Sequence, residues 1–431
     1  MFIVLAILAF GVIIAIHELG HYFAAKAMGV KVNEFAIGMG PKILKKQGKE
    51  TLYSLRLLPF GGFCSMEGEH EEGEEPDPRS FLSQKRWKRI VILAAGSLAN
   101  IIAAFIIILF LTASADGFAG TTITETAASP IAGEVSDFVE GDRVLAINGE
   151  RLFYFDDFNL FMRLYAGSSI TFTVERNGEQ LDVPLTQSLV HTVISNVVDN
   201  LPDEGPVELI AGDIIVAING ERPLFHGDYS RLMQKNADET IILTLYRDGE
   251  LVEYESRTYL VDGEEVHRYL LSFSFSQTIF FNAIEPTFIE VINYSFYQMY
   301  SFIRMIRLSI AMMISGTASF QDISGPVGIV NEMNNIGQST AAAQGIVAAI
   351  GSIVFFTAFI GVNVAIINLL PIPAMDGGRI LFIGITWVIE KVTRKKLDPK
   401  YEGYINTTAF ILLIGLMVFV LYNDVVRIIG N

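Results

Sequence analysis

The first 25 residues, MFIVLAILAFGVIIAIHELGHYFAA (Met1–Ala25), join an uncharged apolar run directly to the sequence His17-Glu18-Leu19-Gly20-His21. A membrane-spanning helix needs about 20 apolar residues, and this run reaches that length only by continuing through the motif. Three ionisable side chains inside a membrane span are energetically expensive, so they indicate a function. The alternative is a cleaved signal peptide, which is disfavoured because the segment lacks the basic residues that begin one.

Three further long stretches of the chain contain no Asp, Glu, Lys or Arg. Each is long enough to cross a bilayer as a helix. The whole chain is 51% hydrophobic and 18% charged, whereas about a quarter of the residues of a soluble protein are charged. The sequence therefore predicts a polytopic α-helical membrane protein whose four transmembrane helices lie at residues 1–25, 90–115, 338–376 and 403–426.

The charged residues are distributed unevenly along the chain. Residues 26–89 contain 12 Lys and Arg and residues 376–402 contain 6, whereas residues 116–300 contain 10 basic and 30 acidic residues. Because Lys and Arg near the spans favour cytoplasmic loops, segments 26–89 and 377–402 are predicted to be cytoplasmic and the acidic middle extracytoplasmic. The acidity argues against nucleic acid as a partner. The lone cysteine excludes an intrachain disulfide.

The acidic middle contains an internal repeat. The sequence GDRVLAINGE at residues 141–150 recurs as GDIIVAINGE at residues 212–221. Each copy combines β-branched strands, a helical stretch and an Asn-Gly or Asp-Gly turn. This pattern predicts two tandem α+β modules, 116–190 and 191–272, followed by an interfacial linker with helices at 273–337. The signature resembles that of PDZ domains, which bind extended peptides at a sheet edge.

The motif in the first span is a candidate metal site. Histidines four residues apart share one face of a helix, so both can bind one ion with Glu18 beside them; two core histidines that meet by accident are the alternative. Catalytic zinc normally has three protein ligands. Asp376 is the candidate for the third, because two prolines and two glycines break the helix around it at membrane depth. The alternative role for this aspartate is a helix cap.

These motifs together resemble those of the bacterial site-2 proteases, a family of zinc intramembrane proteases with extracytoplasmic PDZ domains. The resemblance covers nearly the whole chain and rests on His17-Glu18-x-x-His21, Asn368-x-x-Pro371-x-Pro373-x-Met375-Asp376-Gly377, Phe35–Pro41, Pro59–Phe63, Ala95–Asn100 and Gly325–Ile329. The chain departs from the family pattern at two positions. Met375 replaces the usual Leu before Asp-Gly, and Ser97 replaces the usual Pro after Ala-Gly; neither residue is a ligand.

The resemblance implies a set of site residues. It makes His17, His21 and Asp376 the ligands of Zn²⁺, Glu18 the general base, and Asn368 a neighbour of the substrate backbone. It also implies that residues 52–63 form a membrane-dipping β-hairpin whose edge pairs with an extended substrate at Gly61, Gly62 and Phe63. An ordinary cytoplasmic hairpin is the alternative for this segment.

The resemblance further implies the substrate and the compartment. The expected reaction is hydrolysis of a peptide bond within the transmembrane helix of a single-span protein, such as an anti-sigma factor already cut by a site-1 protease or a signal-peptide remnant. The expected location is the bacterial plasma membrane, with the active site toward the cytoplasm. The acidic modules are expected to exclude substrates with bulky extracytoplasmic domains, and recruitment of a peptide is the alternative.

Two functions of other classes remain possible from the residues alone. A membrane scaffold with two peptide-binding modules would explain the repeat and the spans, but it has no use for Glu18 or Asp376. A metal transporter would explain histidine and aspartate inside the membrane. Such a protein would usually carry several ligands along a pathway, whereas the four spans of this chain contain few.

Overall fold

The computed structural model describes residues 1–69, 77–134, 136–165, 168–199, 208–225, 228–236, 240–255, 258–261, 264–267, 269–315, 325–394 and 400–429. The chain divides into two compact units. The first, here called the helical unit, combines Met1–Ala115 with Thr287–Asn431. The second, the β unit, is Asp116–Pro286.

The β unit is a single insertion between the two parts of the helical unit in the chain. The helices are α1 (Phe2–Met28), α2 (Arg86–Ala113), α3 (Phe155–Leu164), α4 (Asp228–Lys235), α5 (Phe288–Ser315), α6 (Pro326–Gln344), α7 (Ile346–Leu369), α8 (Asp376–Thr393) and α9 (Lys400–Ile429). The strands are β1 (Val32–Gln47), β2 (Leu52–Met66), β3 (Phe118–Thr126), β4 (Arg143–Ile147), β5 (Glu150–Arg151), β6 (Thr171–Arg176), β7 (Glu179–Pro184), β8 (Val190–Asp199), β9 (Ile214–Ile218), β10 (Ile242–Arg247), β11 (Glu250–Glu255), β12 (Thr258–Val261), β13 (Glu264–His267), β14 (Tyr269–Gln277) and β15 (Ile279–Ile284).

Four helical segments of the helical unit are long and apolar enough to cross a membrane. They are Phe2–Met28, Arg86–Ala113, Ile346–Leu369 and Gly403–Asp424. The four long apolar helices expected from the sequence are therefore present, as a membrane protein requires. The first continues through the complete His-Glu-x-x-His motif and ends at Gly29, whose left-handed conformation (φ 84°) closes the helix.

The third of these helices is shorter than the predicted segment 338–376. Gly345, at φ 90°, separates α6 from α7. Leu370 then leaves the helical conformation with ψ 148°, because a residue that precedes a proline is sterically disfavoured in a helix. Six non-helical residues therefore separate α7 from Asp376, which begins α8.

The helical unit is stabilised by several apolar clusters, two of which join helices only, and by one close helix contact. One cluster joins α1 to α6 and α7, and the other joins α2 to α5 and α7. Helices α1 and α2 approach closely at Gly20, where a Cβ atom would lie 2.3 Å from the carbonyl oxygen of Ala95. A side chain at this position would force the two helices apart, so glycine sets their separation.

Strands β1 and β2 form a curled sheet that is larger than the predicted hairpin at residues 52–63. The middle of β1 pairs with both parts of β2: Phe35 lies opposite Cys64 on one side and Tyr53 on the other. The end of β1 then pairs with the beginning of β2, as at Lys45 and Ser54. Residues 62–66 therefore lie at the edge of the sheet, with a strand on one side only among the described residues.

The β unit contains two large sheets with the same order of equivalent strands, besides the separate two-stranded sheet β12-β13. Their orders are β15-β3-β4-β6-β7 and β14-β8-β9-β10-β11. A buried aspartate in each copy of the repeated motif pairs with an arginine 34 residues later, Asp142 with Arg176 at 2.7 Å and Asp213 with Arg247 at 2.6 Å. Asn148 and Asn219 adopt positive φ angles before glycine, as tight turns of this type require.

The edge strand of each sheet comes from a segment that the sequence assigned mainly to the linker. Strand β14 pairs with β8, and after the single residue Thr278 strand β15 pairs with β3. The predicted module boundaries, 116–190 and 191–272, thus omit β15 and the end of β14. The linker 273–337 also contains α5, whose Met299, Phe302 and Ile306 pack against α2 and α7; its residues 316–324 lie outside the described part of the chain.

The two sheets of the β unit meet at a buried histidine. His191 is 2% exposed, and its Nε2 lies 3.1 Å from Ser129 Oγ. Two charged groups face it: Glu134, with Oε2 at 3.7 Å, and Arg222, which pairs with Glu134. Burial lowers the pKa of His191 below its ordinary value near 6.5.

The buried histidine predicts that the β unit loses stability in mild acid. A histidine with a lowered folded pKa favours the folded state above its unfolded pKa, and that stabilisation is lost as the pH falls below about 6.5. Once the slower intrinsic exchange of amides in acid is divided out, the hydrogen-exchange protection factors of β8 should therefore fall between about pH 6.5 and 5 in the wild type. His191→Phe should flatten this dependence, and an unchanged pH profile in the variant would contradict the assignment.

Candidate metal centre and active site

Three donor atoms from two distant parts of the chain converge in the helical unit. The Nε2 atoms of His17 and His21 are 3.1 Å apart. Asp376 Oδ2 lies 3.3 Å from the first and 3.2 Å from the second. Both histidines are buried, at 8% and 7% exposure. The structure thus brings together all three residues for which the sequence predicts a ligand role.

The segment between α7 and α8 positions Asp376. It turns back on itself through Ile372, whose N–H donates to the Leu370 carbonyl at 2.7 Å. The two following glycines permit this turn, because a Cβ atom on Gly377 would lie 2.3 Å from the Leu369 carbonyl oxygen and one on Gly378 would lie 2.1 Å from the Ile372 carbonyl oxygen. Asp376 is the first residue of α8, and Met375 occupies the cap position. The carboxylate of Asp376 faces the imidazoles of His17 and His21.

Helix α2 orients the second histidine. The Nδ1–H of His21 donates to the Ile92 carbonyl at 2.9 Å, which leaves Nε2 with a lone pair directed at the other donors. Both imidazoles also lie against Gly96. A Cβ atom on Gly96 would approach His21 Nε2 to 2.4 Å and His17 Cε1 to 2.8 Å. The rings occupy the space that any other residue at this position would fill.

A cavity of about 430 Å³ opens beside these donors. It is lined by all three donor residues and by Glu18, Asn368 and Phe63, which are predicted site residues. Gly62 lies close to Glu18, since an added Cβ would be 3.3 Å from Glu18 Cγ. Gly61 lies elsewhere: its φ of 85° makes a turn, and its Cβ position is occupied by the side chain of Met39.

The edge of the curled sheet forms one wall of this cavity. Residues 63–66 of β2 line it, and the backbone of Cys64 hydrogen-bonds to the carboxylate of Glu18. Burial raises the pKa of the Cys64 thiol to about 12, so the cysteine is neutral and a poor nucleophile. The sheet edge therefore runs directly past the group predicted to act as the base.

The sequence did not indicate an ion pair in the wall of the cavity. Arg379 Nη1 lies 2.5 Å from Glu69 Oε1, and the guanidinium lies 5.2 Å from the ring centroid of Phe81. Arg379 is one helical turn after Asp376 on α8, whereas Glu69 follows β2. The pair therefore ties the helix that carries the third donor to the sheet, and no local sequence pattern connects residues so distant in the chain.

The donor set fits a zinc ion. Two imidazole nitrogens and one carboxylate oxygen form a typical catalytic zinc set. Ligand atoms about 2.1 Å from a tetrahedral zinc lie roughly 3.4 Å from one another, and the three donors here are separated by 3.1–3.3 Å. The ligand atoms of these residues all lie within 4.8 Å of one another. The site therefore needs little rearrangement to hold the ion.

The packing at Gly96 predicts that a single methyl group disrupts the site. Gly96→Ala should displace both imidazoles, lower metal occupancy and destabilise the protein by roughly 1–3 kcal/mol, the usual effect of overpacking a core. Metal analysis and thermal unfolding of the purified variant measure both effects. Gly351→Ala is the matched control, because nothing lies within 4 Å of its added Cβ. Full metal occupancy in Gly96→Ala would contradict the geometry.

Comparison with known proteins agrees with this site. The model of peptidase family M50 matches residues 5–416. A predicted zinc metalloprotease of Clostridium acetobutylicum is 32% identical over 424 residues, which cover 98% of this chain and 97% of that protein. The zinc metalloprotease RasP of Oceanobacillus iheyensis is 26% identical, and the match covers 99% of each chain.

These matches decide between the classes of function left open by the residues. Zinc, the metal predicted from the motifs, is named for both relatives. The chain is a protease of the site-2 type, and the scaffold and transporter alternatives are rejected. The resemblance to the bacterial site-2 proteases is confirmed. The chain belongs to peptidase family M50.

Proposed function

We propose that this chain is a zinc-dependent endopeptidase that hydrolyses a peptide bond within the transmembrane helix of a single-span membrane protein. The observation that carries the proposal is the convergence of His17, His21 and Asp376 beside Glu18, where both histidines and Glu18 belong to a helix long and apolar enough to span a membrane. Charged and polar groups are costly in that environment, and a catalytic metal site explains all four.

Each residue of the site has a distinct role in this reaction. His17, His21 and Asp376 would hold a zinc ion, which would supply Lewis acidity toward the scissile carbonyl and the attacking water. Glu18 accepts a proton from that water as its oxygen attacks the carbonyl carbon. The same carboxyl group then donates the proton to the leaving nitrogen as the C–N bond breaks. Asn368, in the cavity wall, is placed to hydrogen-bond the substrate backbone.

The sheet edge at residues 62–66 supports a mode of substrate binding. A helix hides its amide groups in internal hydrogen bonds, so the segment to be cut must become extended. An extended segment can add to the edge of β2 through main-chain hydrogen bonds, next to Glu18. Gly62 and Phe63 would contact the substrate, whereas Gly61 shapes the turn before them. The exposed Met39, Leu57 and Leu58 of the same sheet favour contact with the lipid bilayer.

The orientation of the protein follows from its charges. The basic segments 26–89 and 377–402 favour the cytoplasm, which places the active site toward that side of a bacterial plasma membrane. The β unit would then be extracytoplasmic. Its two sheets, each with an edge strand and a helix, support the assignment of two PDZ-like modules. We propose that they act as a size filter that admits substrates already trimmed by another protease, such as anti-sigma factors.

The role of the base is tested by Glu18→Gln. The variant should bind one zinc ion and fold as the wild type does, but its cleavage of a single-span reporter should fall by at least about 100-fold, because no group accepts the proton of the water. Glu50→Gln is the control, since Glu50 pairs with Lys26 and Arg79 at a part-exposed site. Turnover near that of the wild type would contradict the mechanism.

The role of the third ligand is tested by Asp376→Asn. An amide is a neutral and poorer ligand, so zinc occupancy and cleavage should both fall, in contrast to Glu18→Gln. Glu390→Gln on the same helix is the control, because its pair with Arg86 is at the surface and contributes little. Full zinc content in Asp376→Asn would show that this aspartate stabilises the start of the helix and is not a metal ligand.

The filter is tested by removing the β unit as a whole. Deletion of only residues 120–265 would remove the partner strands of β14 and β15, so a short linker should replace all of Asp116–Pro286. In cells, the shortened enzyme should cut an untrimmed substrate that the full-length enzyme spares. If the shortened enzyme remains folded and zinc-loaded but cuts neither intact nor trimmed substrate, the β unit recruits the substrate and is not a size filter.

A further inference from the structure

The two histidines of the site differ in how they are held. The Nδ1–H of His21 donates to the Ile92 carbonyl. The Nδ1 of His17 is equally buried, but it has no hydrogen-bond partner among the described residues. Metal-binding histidines almost always donate their second ring N–H to an oxygen, which fixes the tautomer and the ring orientation. His17 therefore requires an acceptor that its own helix does not supply.

Helix α2 carries two buried polar groups in the same situation. Asn100 is 2% exposed and Ser97 is 0% exposed. The Nδ2 of Asn100 and the Oγ of Ser97 lack hydrogen-bond partners among the described residues. Buried polar groups in native proteins are nearly always paired, so unpaired ones call for an explanation. Both residues belong to the motif at residues 95–100, to which the proposed reaction assigns no role.

Asn100 is close to the face of α2 that contacts His17. Gly96 lies against the His17 ring, with Cε1 2.8 Å from its Cβ position. Asn100 follows Gly96 by four residues, so the two share one helix face about one turn apart. On the other side, the Cβ position of Gly361 in α7 is 4.0 Å from the backbone oxygen of Asn100. Asn100 therefore lies where α2 meets both α1 and α7.

We propose that Asn100 is a positioning residue for His17. Its side-chain Oδ1 holds the Nδ1–H of His17 through one buried water molecule, which accepts the Nδ1–H and donates to Oδ1, and so keeps the Nε2 lone pair directed at the metal. A buried water with two to four polar partners is a normal feature of such a site. The inference rests on the proposed zinc site, but it does not depend on the substrate or on the cleavage reaction.

Zinc affinity of the full-length protein in detergent tests this role. Competition with a chromophoric chelator should show that Asn100→Leu, which has similar volume and no acceptor, binds zinc about 10–100-fold more weakly than the wild type, the usual effect of losing such a partner. Asn100→Asp retains an acceptor and should keep wild-type affinity or exceed it. Thr112→Val, at another buried polar position of α2, is the control and should not change affinity.

Histidine NMR supplies a signature that a merely structural role would not produce. In the zinc-loaded wild type, the Nδ1 protons of His17 and His21 should both exchange slowly with water. Asn100→Leu should remove the protection of His17 and leave that of His21, whose acceptor is the Ile92 carbonyl. Thermal unfolding of the metal-free proteins checks that the variant is folded, and Asn100→Ala takes its place if it is not.

The outcomes separate this inference from the proposed function. A wild type that binds no zinc overturns the metal site itself. A wild type that binds one zinc, with an Asn100→Leu variant of equal affinity and a protected His17 proton, overturns only the role of Asn100. If Ser97→Ala weakens zinc binding and Asn100→Leu does not, the serine hydroxyl is the acceptor and the proposal is wrong.

Discussion

The arrangement of the helical unit depends on the burial of two imidazoles and one carboxylate among apolar helices. Such groups are costly away from water unless other groups satisfy them. Here their donor atoms converge, with separations of 3.1–3.3 Å, and a bound metal ion would satisfy all three. The surrounding helices must therefore meet with an accuracy of a few tenths of an ångström, although most of their contacts are ordinary apolar packing.

Glycine residues permit this close packing at three places. Gly20 lets α1 touch the backbone of α2, and Gly96 makes room on α2 for both histidine rings. Gly377 and Gly378 let the segment after α7 fold back, so that α8 begins with its aspartate beside those rings. At each place an added Cβ atom would lie closer than 3 Å to a neighbouring atom, so even alanine would require the backbone or the rings to move. These positions require glycine because neighbouring atoms approach the backbone closely, and a need for backbone flexibility is the smaller reason.

The curled sheet links metal chemistry to substrate recognition. Its edge passes Glu18, while the ion pair of Arg379 with Glu69 connects the sheet to α8. Glu18, the proposed base, Asp376, the proposed third ligand, and the strand edge are thus connected through direct contacts. An extended substrate that pairs with this edge would bring its backbone to the base without any need for a particular side chain. That arrangement suits the proposed cleavage of apolar segments of varied sequence.

Local sequence patterns determined much of this protein. The uncharged runs predicted four long apolar helices, the spacing of His17 and His21 indicated a metal site, and Asp376 was the charged residue at the end of a long apolar segment. These signals are readable because charge in a membrane and helical periodicity are properties of short segments. Tertiary structure alone decided the break at Gly345, the pairing of β14 and β15 with strands far earlier in the chain, and the contact of Gly96 with the imidazoles. These features depend on which segments meet in space, and a short stretch of sequence does not show which distant segment it will contact.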